Sequence, residues 1–427
     1  MRRDFAARAE QAADLLGILA RSAFDSNPVP AEWEHVTKID PEGAKKLPLL
    51  YPLWLSETDA LSVGGSADVT PANTEAVLDL LAGLETPLCH EPSGADHVTE
   101  RSHEEADLLL VPEVLNGDSE ALVGTLGEAI ESVRERLAPE LVRQKAPWLP
   151  PTVVDRLADL GTDLLLSRAA FEAYIVQNPE SAAAREAGVS EADVLSAGEA
   201  TQRAMAADRH LDSEILYLEY SGTFGGDEAV ETLERLESAL TRSRIWYGGG
   251  LADAEDVAAV RDAGADTVVV GDAFHNVAEA EAEMLRAAEA ELDWGADEAT
   301  IREWTAERVD ADSPGARFLA TIPAVNDPVV LAQEYAGATV RAWLELRNRR
   351  EQATEGDDSL PVVAVRSTAL RAAIAPVAAE AADDLAATIT RAALAGRTGG
   401  DETAAAEQLS LSLLAESEDP RRRGASH

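Results

Sequence analysis

A carboxylate stands inside an apolar segment at Glu219, in the stretch Tyr217-Leu-Glu-Tyr-Ser-Gly222. The residues from Glu214 to Leu218 form a short apolar run that is typical of a buried strand. An unpaired charge in such a strand costs free energy, so Glu219 needs a partner or a task. Two interpretations are open: a general base or hydroxyl-binding group, and a structural ion pair with a buried arginine.

Two glycine-rich segments follow the next two apolar runs. Gly248-Gly-Gly250 ends one run, and Gly271-Asp272 ends the other. Glycine lets backbone N–H groups approach an anion closely, and a helix that starts there adds a favourable dipole. The pair of segments therefore favours a phosphate site, with tight strand-to-helix turns as the alternative.

Lys38 and Asp40 are two residues apart at the end of an early apolar run. In a strand this spacing points both side chains to the same face. The lysine can bind a phosphate ester, and the carboxylate can bind Mg²⁺ together with substrate oxygens. The alternative is a surface salt bridge, but lysine occupies only four positions of this chain, which adds weight to Lys38.

Other potential metal ligands form no recognisable set. We expect structural roles for His35, His90, His103 and His275, because their spacing does not match that of metal ligands. Cys89 is the only cysteine, which excludes an internal disulfide and a multi-cysteine metal site.

Eight short apolar runs alternate with polar or helix-like segments from Trp33 onward. Runs of this kind predict strands that are buried on both faces, and eight of them predict an α/β protein with a (β/α)8 TIM barrel. An open doubly wound sheet is the alternative. In a barrel the carboxyl ends of all strands meet on one face, so the candidate residues would become neighbours. The runs are His35–Asp40, Asp59–Gly65, Thr86–His90, Asp107–Pro112, Glu172–Gln177, Glu214–Glu219, Arg244–Gly248 and Asp266–Gly271.

The charge balance is strongly acidic, with 79 acidic against 36 basic residues and a net charge of −43 over 427 residues. Such a chain would be repelled by nucleic acid, so no nucleic-acid partner is expected. Dense carboxylate with little lysine is typical of a halophile's protein, and an ordinary acidic protein is the alternative. No stretch approaches the ~18 apolar residues of a membrane span. We therefore expect a cytoplasmic protein whose membrane contacts are at most peripheral.

Three segments fall outside the strand–helix repeat. Residues 1–30 are predicted to be a helical N-terminal extension, and residues 31–292 the barrel domain. Within that domain, residues 118–170 form an enlarged helical insertion. Residues 293–427 are predicted to be a mainly helical, acidic extension with a disordered end.

An ordered set of motifs resembles the geranylgeranylglyceryl phosphate synthases, of the haloarchaeal type, and their heptaprenyl relatives. Each motif alone is weak, but the set occurs in family order between residues 33 and 290. The motifs are His35-Val-Thr-Lys-Ile-Asp40, Ser62-Val-Gly-Gly-Ser66 with Asp68-Val-Thr70, Val111-Pro112, Val114-Leu-Asn116, Ala173-Tyr-Ile-Val-Gln-Asn-Pro179, Tyr217 to Gly222, Tyr247-Gly-Gly-Gly250 and Val268-Val-Val-Gly-Asp272.

The resemblance implies a modified barrel that joins sn-glycerol 1-phosphate to an isoprenoid diphosphate with Mg²⁺, and a homodimer. Asp40 and Ser66 would then hold Mg²⁺, and Glu219 would orient or deprotonate the attacking hydroxyl. The residues that would bind glycerol phosphate are Lys38, Tyr217, Leu218, Glu219, Tyr220, Ser221 and Gly222, with Gly249, Gly250, Gly271 and Asp272 around its phosphate.

The sequence departs from the family pattern in four places. Asp272 stands where many members have asparagine, and the stretch after Asn116 lacks an expected tryptophan and histidine. The missing bulky residue predicts a prenyl chain of geranylgeranyl length or longer. The insertion is about twenty residues longer than usual, and the segment after residue 293 has no counterpart. A catalytically silent paralogue that acts in binding or assembly, and another phosphate-binding barrel enzyme, are the alternative functions.

Overall fold

The fold is taken from a computed structural model. It describes residues 27–42, 46–65, 69–81, 84–94, 97–166, 169–293 and 295–354, together with residue 371. The predicted N-terminal helix lies outside the described residues except for residues 27–30, which are not helical. The predicted disordered end lies outside them too.

Eight parallel strands form a closed barrel in chain order, with β1 hydrogen-bonded to both β2 and β8. Closure confirms the predicted barrel and excludes the open doubly wound sheet. Each of the eight predicted runs overlaps a strand; six contain it whole, whereas β4 ends two residues after its run and β5 begins three residues before its run. The strands are β1 His35–Ile39, β2 Ala60–Val63, β3 Leu88–His90, β4 Leu108–Val114, β5 Ala169–Val176, β6 Ile215–Glu219, β7 Arg244–Gly248 and β8 Thr267–Val270.

Each strand buries one set of side chains inside the barrel and the other set against the helices. On β6, Ile215 and Tyr217 belong to the interior cluster, whereas Leu216 and Leu218 pack in the outer layer. Because both faces are buried, the strands are mainly apolar and do not alternate regularly between apolar and polar residues.

Helices connect and surround the strands, and several begin at side chains that cap their first turn. Asp253 accepts hydrogen bonds from the N–H groups of Glu255 and Asp256. Among the described residues, no helix is long and apolar enough to cross a membrane. The helices are α1 Tyr51–Leu55, α2 Pro71–Leu81, α3 Glu100–Glu105, α4 Thr125–Ser132, α5 Ala138–Lys145, α6 Pro151–Leu166, α7 Ala182–Glu186, α8 Ala197–Ala206, α9 Gly226–Ala239, α10 Ala254–Asp262, α11 Asp272–Glu291, α12 Glu298–Ala306, α13 Pro314–Ala320 and α14 Pro328–Thr354.

The segment predicted as a helical insertion, residues 118–170, is mainly helical as far as Leu166, and its last two residues, 169 and 170, belong to β5. A segment of π geometry, Glu120–Gly124, leads into α4, and a second one, Val133–Leu137, joins α4 to α5. The helical segments after β4 thus run without a break from Glu120 to Lys145, and α6 returns toward β5. We call residues 118–166 the arm.

The helices after residue 297 pack on the barrel. Phe318 of α13 is fully buried, with its ring 5.1 Å from that of Phe274 and 6.4 Å from that of Trp54. Thr321 lies within hydrogen-bond distance, 3.1 Å, of the His35 ring. These helices and the outer layer of the barrel therefore share one hydrophobic core. The predicted helical pattern near 327–352 corresponds to α14, whereas the pattern near 367–396 lies outside the described residues except for Arg371.

Candidate active site

A cavity of about 690 Å³ opens at the carboxyl ends of the strands, and all eight strands or the loops that follow them contribute to its wall. This is the face on which barrel enzymes carry their active sites. The cavity brings together most of the residues that the sequence singled out: Lys38, Asp40, Tyr217, Glu219, Ser221, Gly222, Gly249, Gly250, Gly271 and Asp272.

Glu219 is the last residue of β6 and is 5% exposed. Its Oε1 accepts hydrogen bonds from the Ser221 N–H, at 3.1 Å, and from the Ser221 hydroxyl. Burial raises the pKa of Glu219 to about 7, although the positive charge of Lys38 opposes this shift. No arginine of the described residues lies within ion-pair distance of Glu219, which leaves the catalytic interpretation the stronger one.

Tyr217 forms the floor beside Glu219. Its ring packs edge-on against Tyr174 of β5, with centroids 4.4 Å apart. On β7, a Cβ at Gly248 would collide with the Tyr217 hydroxyl and lie 2.8 Å from Glu219 Oε2. Gly248 is therefore required so that the tyrosine and the carboxylate can approach the backbone of β7.

Lys38 is held by a carboxylate that the sequence interpretation missed. Its Nζ lies 2.9 Å from Oε1 of Glu91, which also accepts a 2.8 Å hydrogen bond from the Tyr174 hydroxyl. Burial alone would lower the pKa of Lys38, but Glu91 and Glu219 more than offset this and raise it. Glu91 follows β3 directly, so its position after an apolar run was a signal that could have identified it.

Glycines shape the loops after β7 and β8. Gly249 and Gly250 have φ values of +149° and +50°, and a Cβ at Gly250 would collide with the backbone of Phe224 and Thr223. After β8, α11 begins at Asp272, so its first N–H groups lie at the cavity wall. This arrangement can bind an anion.

Asp40 lies at the cavity wall with its side chain 34% exposed, and its Oδ2 is 3.8 Å from His275 Nδ1. Ser66, the other predicted metal ligand, lies outside the described residues. No group of three or more potential metal ligands occurs in the part of the chain that the structure describes. One carboxylate fits Mg²⁺ when substrate oxygens complete the coordination sphere.

The cavity wall is acidic. Lys38 is the single cationic side chain among its described lining residues. An anionic substrate therefore depends on backbone N–H groups, on this lysine and on a bound cation. The carboxylates in the wall are Asp40, Glu42, Glu91, Asp118, Glu120, Glu180, Glu186, Glu219 and Asp272.

Two of the singled-out side chains point away from the cavity. Leu218 is fully buried in the outer layer, because successive strand residues face opposite sides. Tyr220 stacks on Tyr247, with centroids 6.0 Å apart, and its hydroxyl donates to Glu228 at 3.1 Å. Neither side chain can touch a substrate here, which leaves them only a backbone contribution.

Several buried polar residues near the strand ends have structural roles in this fold. Asn116 exchanges two hydrogen bonds with the backbone of Val176, at 2.7 and 2.9 Å. The buried rings of His35 and His90 have pKa values lowered to about 3 and about 4 by burial, so both are neutral at pH 7. Neither therefore supplies a cation to the cavity.

The closed barrel, with glycine loops and a helix N-terminus at its mouth, defines a TIM-barrel protein with a candidate anion-binding site. The sequence pattern of the PcrB family matches residues 30–290, and the chain belongs to that family.

Curated relatives are named geranylgeranylglyceryl phosphate synthase. The protein from Halobacterium salinarum is 37% identical over 250 residues, which is 57% of this chain and 89% of the relative. The protein from Haloquadratum walsbyi is 34% identical over 251 residues, covering 57% and 88%. A crystal structure of the synthase from Thermoplasma acidophilum with its substrate sn-glycerol-1-phosphate aligns with a TM-score of 0.41 at 21% identity, over 57% of this chain and 86% of that chain. At that similarity, nothing about this site follows from the alignment.

Proposed function

We propose that the protein is a prenyltransferase that forms an ether bond between sn-glycerol 1-phosphate and geranylgeranyl diphosphate or a longer isoprenoid diphosphate. The observation that carries this proposal is the buried Glu219 in one cavity with the glycine loops after β7 and β8. This chain matches curated relatives named for this synthase over 89% and 88% of their length, which supports the same reaction.

The phosphate of the acceptor binds at the loop of Gly249 and Gly250 and at the N-terminus of α11, because both line the cavity and their backbone N–H groups can donate to an anion there. Lys38 supplies the positive charge. With its phosphate anchored there, the acceptor can place a hydroxyl against Glu219.

The transfer balances as a displacement at the allylic carbon. The glycerol oxygen forms a C–O bond to that carbon as the C–O bond to the diphosphate breaks, and the hydroxyl proton passes to Glu219. A carboxylate with a pKa of about 7 accepts this proton near neutral pH and releases it afterwards.

Asp40 would hold Mg²⁺, with Ser66 as a second ligand that the family resemblance implies. Bound Mg²⁺ supplies charge stabilisation to the leaving diphosphate. A bound Mg²⁺ fits this cavity, because the many carboxylates of its wall would repel a diphosphate that no cation accompanied.

The prenyl chain lies along the side of the cavity between β4 and β5, which is lined by Val114, Ala121, Ala182 and Ala187. Small side chains leave room for a chain of geranylgeranyl length or longer. The homodimer and the cytoplasmic location also belong to this proposal.

The test measures ether product from the purified protein in molar KCl with Mg²⁺, geranylgeranyl diphosphate and one enantiomer of glycerol phosphate. We expect product from sn-glycerol 1-phosphate and not from its mirror image. Glu219→Gln should lower kcat/KM at least ~100-fold. Glu231→Gln, at a side chain 61% exposed on α9, is the matched control and should be neutral. No product from the wild-type protein at any salt concentration would favour a catalytically silent paralogue.

A further inference from the structure

The arm carries most of the exposed apolar side chains of the described residues. Eight large apolar side chains are exposed among the described residues of the chain, and five of them belong to the arm. The arm makes up a small part of the chain, so exposed apolar side chains are far more frequent in the arm than elsewhere among the described residues. The five are Val123, Trp148, Val153, Leu157 and Leu160.

The apolar stripe of α6 is not used by the packing of the arm itself. Val153, Leu157 and Leu160 are spaced i, i+4 and i+7, which places them on one side of the helix. A neighbouring face of α6 carries Val154 and Ala158, which are buried. The stripe therefore stays partly exposed while Val154 and Ala158 are buried on the neighbouring face.

Trp148 forms the tip of the arm, in the turn between α5 and α6. Its side chain is 78% exposed, and the turn is closed by a 3.1 Å hydrogen bond from Leu149 N–H to the Ala146 carbonyl. From Arg143 to Arg156 the sequence has three basic residues and one acidic residue. The tip is thus locally positive in a chain with a net charge of −43.

We propose that the arm is a membrane-docking element that inserts Trp148 and the stripe of α6 into the interface of a bilayer with anionic headgroups. Tryptophan favours the headgroup level, and aliphatic side chains favour the layer just below it. Anionic lipids would repel the acidic surface of the chain, whereas the basic tip removes that repulsion locally.

Docking would serve the cavity, because the first turn of the arm forms part of its wall through Asp118, Glu120 and Ala121. This consequence rests on the proposed function, in which the product carries a long prenyl chain that belongs in a bilayer. The docking itself depends only on the arm.

A second copy of the chain is the competing occupant of the stripe. Each partner of a stable dimer buries about 800 Å². The stripe and the tip offer much less than that area, because only Trp148 and Leu160 are more than half exposed and Val153 and Leu157 are mostly covered. A narrow stripe that ends in an exposed tip fits a bilayer interface better than it fits another folded surface.

The experiment measures co-sedimentation of the full chain with vesicles of dioleoyl phosphatidylglycerol or of dioleoyl phosphatidylcholine, in molar KCl and without substrates. We expect binding to both vesicles, because salt screens charge but not apolar insertion, and only a small preference for phosphatidylglycerol in molar KCl. The double variant Trp148→Ser, Leu160→Ser should bind both vesicles at least ~10-fold more weakly than the wild type. Val330→Ser, which removes a side chain 47% exposed outside the arm, should bind as the wild type does.

Failure of the wild type to bind either vesicle, or equal binding by the double variant, would overturn the proposal. Light scattering detects the competing occupant: a halved particle mass in the double variant, without vesicle binding by the wild type, would assign the stripe to a second copy. In the folded variant Trp148→Phe, quenching of tryptophan fluorescence by brominated lipid should be lost, whereas unchanged quenching counts against insertion. Because no substrate is present, these outcomes are independent of the prenyl transfer assay.

Discussion

The carboxyl of Glu219 must be ionised to accept a proton, and burial raises its pKa to about 7. We therefore expect kcat/KM to rise with pH through about 7 and to level off above it. The measurement is a pH–rate profile at saturating Mg²⁺. A limb near pH 4.5, the ordinary value for glutamate, would contradict the assignment.

The raised pKa of Glu219 also makes the free energy of unfolding depend on pH, which gives a second measurement of the same pKa that does not depend on activity. Between pH 4.5 and about 7 the unfolded carboxyl has lost its proton while the folded one keeps it. The unfolded state then binds fewer protons, so this group lowers the free energy of unfolding as pH rises. Glu219→Gln should remove that dependence even though it removes activity.

Gly248 tests how closely the reacting groups must approach β7. In Gly248→Ala the added methyl would displace the Tyr217 hydroxyl and Glu219, so we expect kcat to fall ~100-fold, since catalysis is sensitive to displacements of about 1 Å. Gly127→Ala is the control, because a Cβ there meets nothing within 4 Å, and should raise helix stability by about 0.5 kcal/mol. Steady-state kinetics and denaturant unfolding measure both effects, and equal activity of the two variants would refute the geometric requirement.

At the scale of elements, Glu91 links β3 to β1, β2 and β5 at the barrel mouth. Its carboxylate pairs with Lys38 and accepts hydrogen bonds from Tyr174 and, at 3.2 Å, from Ser62. In Glu91→Gln the partly buried lysine loses its partner, so we expect the free energy of unfolding to fall by about 1–3 kcal/mol.

The matched control for Glu91→Gln is Glu180→Gln, at an exposed carboxylate of the same cavity wall. It should change the free energy of unfolding by less than about 0.5 kcal/mol. Urea titration compares the two variants. A similar midpoint for both would mean that the link across the strands does not hold the mouth.

The C-terminal helices raise the question of how far the folded unit extends, and we propose that α12 to α14 fold together with the barrel. Phe318 fills a fully buried position against Trp54 and Phe274. Phe318→Ala should therefore lower the free energy of unfolding by about 3–5 kcal/mol in a single transition with the barrel. Val330→Ala, at an exposed position of α14, should be nearly neutral. Two separate unfolding transitions would contradict the shared core.

For the whole molecule, the net charge of −43 makes stability depend on salt. The screening length falls from about 8 Å at 0.15 M to about 3 Å at 1 M, so self-repulsion of the folded chain should weaken over that range. We expect the thermal midpoint to rise steadily with KCl, as calorimetry can measure. A midpoint independent of KCl would remove the halophilic interpretation.

The sequence alone determined the strands and predicted most of the candidate residues that meet in the cavity. Runs of apolar, β-branched residues specify strands locally, and the polar residues that end them, such as Lys38 and Glu219, necessarily lie at the same end of a parallel sheet. The helical nature of the arm and of α14 also followed from local periodicity, which requires no knowledge of distant contacts.

Only the tertiary structure decided which distant side chains meet. Lys38 and Glu91 are 53 positions apart, and their ion pair forms because the closed barrel brings the ends of β1 and β3 to one mouth, with β2 between them. The raised pKa of Glu219 follows from burial by several strands at once, and the position of Phe318 against the barrel from packing across more than 250 residues. Local patterns set secondary structure, whereas pairing, burial and the electrostatics of the site arise when the barrel closes.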